Sequence, residues 1–313
     1  MVSTPARFRI GNAPCSWGVL EFDGTAPETA GFARMLDELV ATGYIGTELG
    51  DWGFMPTDPE ALQAELTGRG VAMIGAFVPV ALRDPTAHAE GAARATRTAR
   101  LLAAVAQTAS ATGAVPPVVV LADDNGADAM RTGNAGRITP AMGLPDDEWS
   151  VFAAGATRVA RAVREATGLP TVFHPHCAGW VETPDEIARL LDRTDPDLLA
   201  LCYDTGHLTY GGGDAAACLR RFSGRIGHVH FKDCSPTVAA RARADGWDYF
   251  AAVRAGVFCE LGSGAVDFPA VVRGLREQEY PGWIVVEQDV LPGLGTPTES
   301  ARRNRDYLAG VGA

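Results

Sequence analysis

The chain has 313 residues, 47% of them apolar and 21% charged, a balance that supplies a large core and excludes a disordered polymer. Its net charge of −11 repels phosphate backbones and anionic lipid, which argues against nucleic acid and membrane as partners. Six scattered cysteines without a CxxC pair, a beginning without a charged segment followed by an apolar run, and no apolar stretch of about 18 residues predict free thiols in a cytoplasmic protein.

Short apolar runs alternate with longer amphipathic ones along the whole length. The first strand is expected at 8–11 and runs into Asn12-Ala13-Pro14-Cys15-Ser16-Trp17-Gly18, which lacks the glycine-rich phosphate turn of a dinucleotide-binding sheet. A helical pattern follows at 30–42, then a second strand at 45–49 that delivers Glu48 near its end. Asp58 before Pro59 marks the next helix start, and a third strand is expected at 71–78. A long helical pattern at 88–112 leads to a fourth strand at 118–121 and an oversized loop at 122–147. Beyond a helix at 148–167, the fifth strand, 171–174, ends in His174-Pro175-His176. Thr183-Pro184-Asp185-Glu186 starts a helix within 182–193, and a sixth strand at 198–203 runs into Asp204-Thr205-Gly206-His207. The seventh strand, 226–231, carries His230 and leads through Lys232 into a second oversized loop, 233–264; the eighth, 283–287, ends in Glu287.

Eight strand–helix units predict one (β/α)8 TIM barrel over 1–313, an α/β fold whose enlarged loops after strands four and seven both lie on the catalytic face. In such a barrel the ends of strands five to eight converge. The pair His174 and His176, with Asp204, His230 and Glu287, therefore become spatial neighbours and form a candidate site for one divalent metal. Imidazole with carboxylate suits Mn²⁺, Co²⁺, Zn²⁺ or Fe²⁺, and the lack of cysteine at these ends argues against a closed structural zinc site.

The motif order resembles the xylose isomerase-like superfamily of sugar isomerases, epimerases and dehydratases, whose members bind one metal through strands five to eight, commonly by Glu, Asp, His and Glu. The matching positions are Asp204 in YDTGH, His230 in HVHFKD and Glu287 in VVEQD. At the fifth strand a histidine stands where that glutamate is usual, and either His174 or His176 takes its place; His174 is favoured. Within the superfamily, the strings NAPCSWG, TELGDWGFMP, HPHCAGWVET, CYDTGHLTYGGGD, CELGSGAVDF and GWIVVEQD are similar to the inosose dehydratase family.

That resemblance implies a metal-dependent hydro-lyase of inositol catabolism that removes water from 2-keto-myo-inositol or a like cyclic ketone, with Mn²⁺ or Co²⁺ favoured and Zn²⁺, Fe²⁺ or Mg²⁺ as alternatives. The ion polarises the ketone, a base takes the α-proton and the β-hydroxyl leaves. A sugar isomerase or epimerase, or a lyase for another 3-keto sugar or glycoside, would use the same metal site. The missing fifth-strand carboxylate counts against simple epimerisation. His176 is the first candidate for proton transfer, with Lys232, His207, Glu48 and Glu260 as further catalytic candidates. Asn12, Trp17, Trp52 and His207 are candidate substrate contacts, the aromatic residues, with Phe54, as a wall against a sugar-like ring. The expected partner is a small polyol or keto-sugar, with homo-oligomerisation left open.

Overall fold

The computed structural model describes residues 8–18, 31–108, 115–290 and 295–313. Residue 30 and residues 109–112 of the expected helices lie outside them. Eight parallel strands close into a barrel: β1 (Arg9–Asn12), β2 (Gly46–Glu48), β3 (Ala72–Pro79), β4 (Val118–Ala122), β5 (Thr171–Phe173), β6 (Leu199–Asp204), β7 (Ile226–Phe231) and, last in the chain, β10 (Trp283–Val286), which pairs with both β7 and β1. Each barrel strand lies within about a residue of its expected place. Helix starts follow the predicted caps. Asp58 accepts from Ala61 N at 2.9 Å, and Thr183 and Glu186 form a reciprocal capping box.

Alternation along the strands sorts side chains to two sides. Ile10, Phe173, Leu201, Tyr203, Val229, Phe231, Ile284 and Val286 belong to the large core between strands and helices. The opposite parity fills the barrel below its mouth in two clusters, Ala13, Ile74, Trp283 and Val285 in one and Val118, Val120, Val172 and Cys202 in the other. Gly46 makes room there, because a Cβ would stand 2.8 Å from the Trp283 ring. An apolar plug closes the bottom, so the polar residues of inward parity collect at the top.

The two enlarged loops carry structure of their own. After β4, the short helix Ala129–Gly133 is capped by Asp128. Arg131, fully buried, makes a bidentate pair with Glu186 at 2.8 and 3.0 Å and donates to Gly179 O at 2.7 Å, which fastens this loop to the one after β5. After β7, the antiparallel strands β8 (Asp233–Cys234) and β9 (Phe258–Cys259) bracket two helices, Pro236–Asp245 and Tyr249–Arg254. Asp233 holds the return of that loop by accepting from Gly262, Gly264 and Val266 N at 2.8, 2.9 and 3.1 Å. All six cysteines are free thiols, and among the described residues no helix is long and apolar enough to cross a membrane.

Candidate metal centre

His174, Asp204, His230 and Glu287 converge at the barrel mouth, with one ligand atom from each within 4.8 Å of the others. His174 Nε2 is 3.5 Å from Asp204 Oδ2; His230 Nδ1 is 3.2 Å from Glu287 Oε1 and 3.9 Å from Asp204 Oδ2. A first-row divalent ion bound at about 2.0–2.2 Å needs donors about 3 to 3.5 Å apart. The spacing is that of a site ready for such an ion. Both ring nitrogens of His174, Asp204 Oδ2 and His230 Nδ1 are buried and lack a hydrogen-bond partner among the described residues. Three such side chains meeting without partners are costly unless a cation satisfies one nitrogen of each imidazole and the carboxylate oxygen. The donor set, two imidazoles and two carboxylates, fits a divalent transition metal.

Local folding explains how each donor arrives. Asp204 ends β6 and caps the helix Thr205–Tyr210 through His207 N at 2.7 Å using Oδ1, which leaves Oδ2 turned toward the other donors. His228 and His230 share the inward face of β7, and both reach Glu48 Oε1, at 2.8 and 2.9 Å, across the barrel. Burial pushes the Glu48 carboxyl up, but the charges of and hydrogen bonds from His230 and His228 outweigh it and hold it at about 2. Gly75 on the neighbouring strand opens space for this carboxylate, since a Cβ there would lie 3.3 Å from its Oε1. Burial also opposes ionisation of Glu287, yet His230 and Lys232 nearby hold its carboxyl well below the usual range.

His176 stands beside the four donors and outside their cluster. Its Nδ1 is 2.6 Å from Cys177 O, a group that only accepts, so Nδ1 carries the proton and Nε2 the lone pair. Tyr249 Oη lies 3.4 Å from that Nε2. His207 has the opposite tautomer: Nδ1 accepts from Cys177 N at 3.3 Å, leaving an Nε2–H that is buried without a partner among the described residues. The two rings lie close and tilted, with centroids 3.8 Å and planes 37° apart. Burial first, and then neighbouring positive charge, depresses both imidazoles well below the ordinary histidine value and keeps them neutral. Lys232 Nζ lies 3.3 Å from Glu287 Oε2, 3.7 Å from Asp289 Oδ1 and 4.8 Å above the Phe258 ring. Burial opposes its charge, but Asp289 and Glu287 keep it an ammonium.

The cavity above these groups is lined by Glu48, His174, His176, His207, Lys232 and Glu287 from the sequence reading, and also by Phe77, Tyr249, Asp289 and Asp51. His228 could have been found from sequence, since it lies two residues from His230 and shares its inward face on β7, whereas Asp289 lies in the loop beyond β10. Tyr249 has no such signal; it arrives from a helix inside the loop after β7.

Five expected residues have no place in this cavity. Glu260 is turned away by the hairpin return and held by Ser300 Oγ at 2.9 Å and Arg303 Nε at 2.7 Å. Asn12 has the outward parity of Ile10 and lies beside Tyr44, behind the strands. Trp17 is 2% exposed, its indole donating to Glu38 Oε2 at 2.9 Å in the helical layer. Trp52 is 40% exposed on the outer surface, with the Arg97 guanidinium 4.2 Å from its ring centre. Phe54, the remaining aromatic of that expected wall, packs against the main core instead.

The family model described as xylose isomerase-like TIM barrel matches residues 36–310. An inosose dehydratase of Geobacillus kaustophilus is 32% identical over 308 residues, spanning 98% of this chain and 96% of the relative. Among solved structures, a 3-keto-D-glucoside 4-epimerase from E. coli superposes with a TM-score of 0.65 at 18% identity over 97% of this chain and 99% of that one. A probable 3-DHS dehydratase from Bacillus anthracis does so with a TM-score of 0.66 at 12% identity over 96% and 98%. At these identities, the structural likeness is one of fold alone.

Proposed function

Since this chain belongs to the inosose dehydratase family of xylose isomerase-like TIM barrels and is a hydro-lyase of that kind, we propose that it removes water from 2-keto-myo-inositol or a closely similar polyhydroxylated cyclic ketone, using one divalent ion. The observation that carries the reading is the meeting of His174, Asp204, His230 and Glu287, with His174, Asp204 Oδ2 and His230 Nδ1 buried and unpartnered among the described residues. These four residues would hold the ion, and the donor set suits Mn²⁺, Co²⁺, Zn²⁺ or Fe²⁺. Such an ion supplies Lewis acidity to a ketone oxygen, which makes the neighbouring C–H more acidic.

The chain's own groups supply the rest. His176 offers a lone pair at Nε2 and is kept neutral by burial, as a base for the α-proton must be. His207 presents an Nε2–H that can hold a substrate hydroxyl, oriented by the Cys177 backbone. The Lys232 ammonium, buried beside Glu287 and Asp289, places positive charge where oxygen gains negative charge and can donate a proton to a departing hydroxyl. Tyr249 and Phe258 cover this corner of the mouth and limit the entry of water. Glu260, Asn12, Trp17 and Trp52 take no part in this scheme.

The test is a product screen on Mn²⁺- or Co²⁺-loaded protein with keto-inositols, ketoses and 3-keto glycosides, read by mass spectrometry. Loss of one water from 2-keto-myo-inositol, abolished by chelator and restored by metal, is expected. A product of unchanged mass would replace dehydration by isomerisation or epimerisation at the same centre.

A further inference from the structure

We infer that Glu48 is a positioning residue, not a proton carrier: one oxygen of its carboxylate holds Nε2–H of both His228 and His230, and so turns the Nδ1 lone pair of His230 toward Asp204 and Glu287. The inference rests on the metal-dependent reading above and assigns the ligand atom within it.

A carboxylate ionised at neutral pH has only lone pairs to offer. Glu48 Oε1 stands 2.8 Å from His228 Nε2 and 2.9 Å from His230 Nε2, so both nitrogens must bring the proton. The three side chains are 3%, 2% and 1% exposed, and water does not substitute for either bond. Bound to a metal, the His230 ring is a neutral imidazole; with its proton on Nε2 the lone pair is on Nδ1, and that atom lies 3.2 Å from Glu287 Oε1. Two acceptors at this distance repel one another unless a cation lies between them. The reversed tautomer would satisfy Glu287 but set the Nε2 lone pair against Glu48 Oε1 at 2.9 Å.

His228 completes the device. By donating to the same oxygen from one pleat lower on β7, it anchors Glu48 so that the carboxylate cannot follow His230 if the ring turns. Gly75 leaves the space in which the carboxylate sits. The carboxylate–histidine–metal chain fixes tautomer and ring orientation, and losing the outer carboxylate typically weakens metal binding about 10–100-fold. Glu48, His228 and His230 also lie close enough together to hold an ion themselves, which is the competing arrangement.

The experiment uses the full chain, labelled with ¹⁵N-histidine and loaded with diamagnetic Zn²⁺. Long-range ¹H–¹⁵N spectra, assigned by single-histidine substitutions, should show Nε2–H on His228 and on His230, with zinc at Nδ1 of His230. Zinc at Nε2 of His230, a proton on its Nδ1, or two zinc ions per chain would overturn the assignment. In parallel, Glu48→Gln keeps the volume and should weaken Zn²⁺ affinity about 10–100-fold with an unchanged circular dichroism spectrum. Equal affinity in variant and wild type overturns the inference and leaves the proposed function standing. Wild-type protein that binds no Zn²⁺, Mn²⁺ or Co²⁺ removes the metal-dependent function itself.

Discussion

Asp204 serves two purposes with two oxygens: Oδ1 caps the helix Thr205–Tyr210, and Oδ2 faces the donors of the candidate centre without a hydrogen-bond partner among the described residues. Glu287 has no capping duty among its described contacts and meets only His230 and Lys232. Their truncations should therefore differ. Glu287→Ala is expected to lose bound metal with the fold intact, while Asp204→Ala should lose metal and also about 1 kcal/mol of stability with the cap. Metal analysis after gel filtration, paired with denaturant unfolding, reads both; full metal occupancy in the two variants would remove the proposed centre. The same division of labour appears in the histidines. Of the six in the chain, five gather at the mouth, whereas His88 is set apart, its Nε2 2.8 Å from Leu82 O.

At the scale of elements, the barrel's crown is held by buried charge that links successive loops. Arg131 joins the loop after β4 to Glu186 and Gly179 beyond β5. Arg131→Met should cost about 3–5 kcal/mol in denaturant unfolding, because Glu186 is left buried without its partner; a loss below about 1 kcal/mol would mean that the pair is dispensable. Glu182 ties the same two loops by accepting from Gly136 N at 2.7 Å and Ala178 N at 3.0 Å. Burial raises its carboxyl to about 7, against the partial relief of those two bonds. The folded state thus holds a proton that the unfolded chain has released. This contribution to stability is complete below the ordinary value of 4.5 and is lost as pH rises through about 7. Glu182→Gln, which cannot titrate, is expected to flatten that segment of the stability–pH curve while lowering the whole curve by one hydrogen bond. An unchanged slope would place the titration elsewhere.

For the whole molecule, the centre concentrates donors unpaired among the described residues and two carboxylates in the mouth of a closed barrel, so ion binding and folding should be linked. At free Mn²⁺ a hundredfold above its dissociation constant, the folded state should gain about 2.7 kcal/mol, read as a rise of several degrees in the unfolding midpoint that chelator reverses. No shift at saturating metal would contradict the linkage. Much of this architecture was legible beforehand. Eight βα units follow from apolar runs of strand length separated by amphipathic helices, and the clustering of His174, Asp204, His230 and Glu287 follows from barrel closure, which brings equivalent strand ends together whatever their separation in the chain. Parity along a strand is also a property of sequence, and reading it strictly would have added His228 and removed Asn12. Other features depended on contacts that no local pattern carries. Glu260 leaves the mouth because Asp233 gathers the backbone of the returning loop, and Arg303, 43 residues away, takes its carboxylate. Tyr249 enters because two helices fold within that same excursion. The sequence by itself thus determined the barrel and the chemical types at its mouth, since strand period and loop order are local properties. Only the tertiary structure decided which nitrogen of each histidine faces the cavity, because a tautomer is chosen by the donor or acceptor that distant backbone and side chains bring to the other side of the ring.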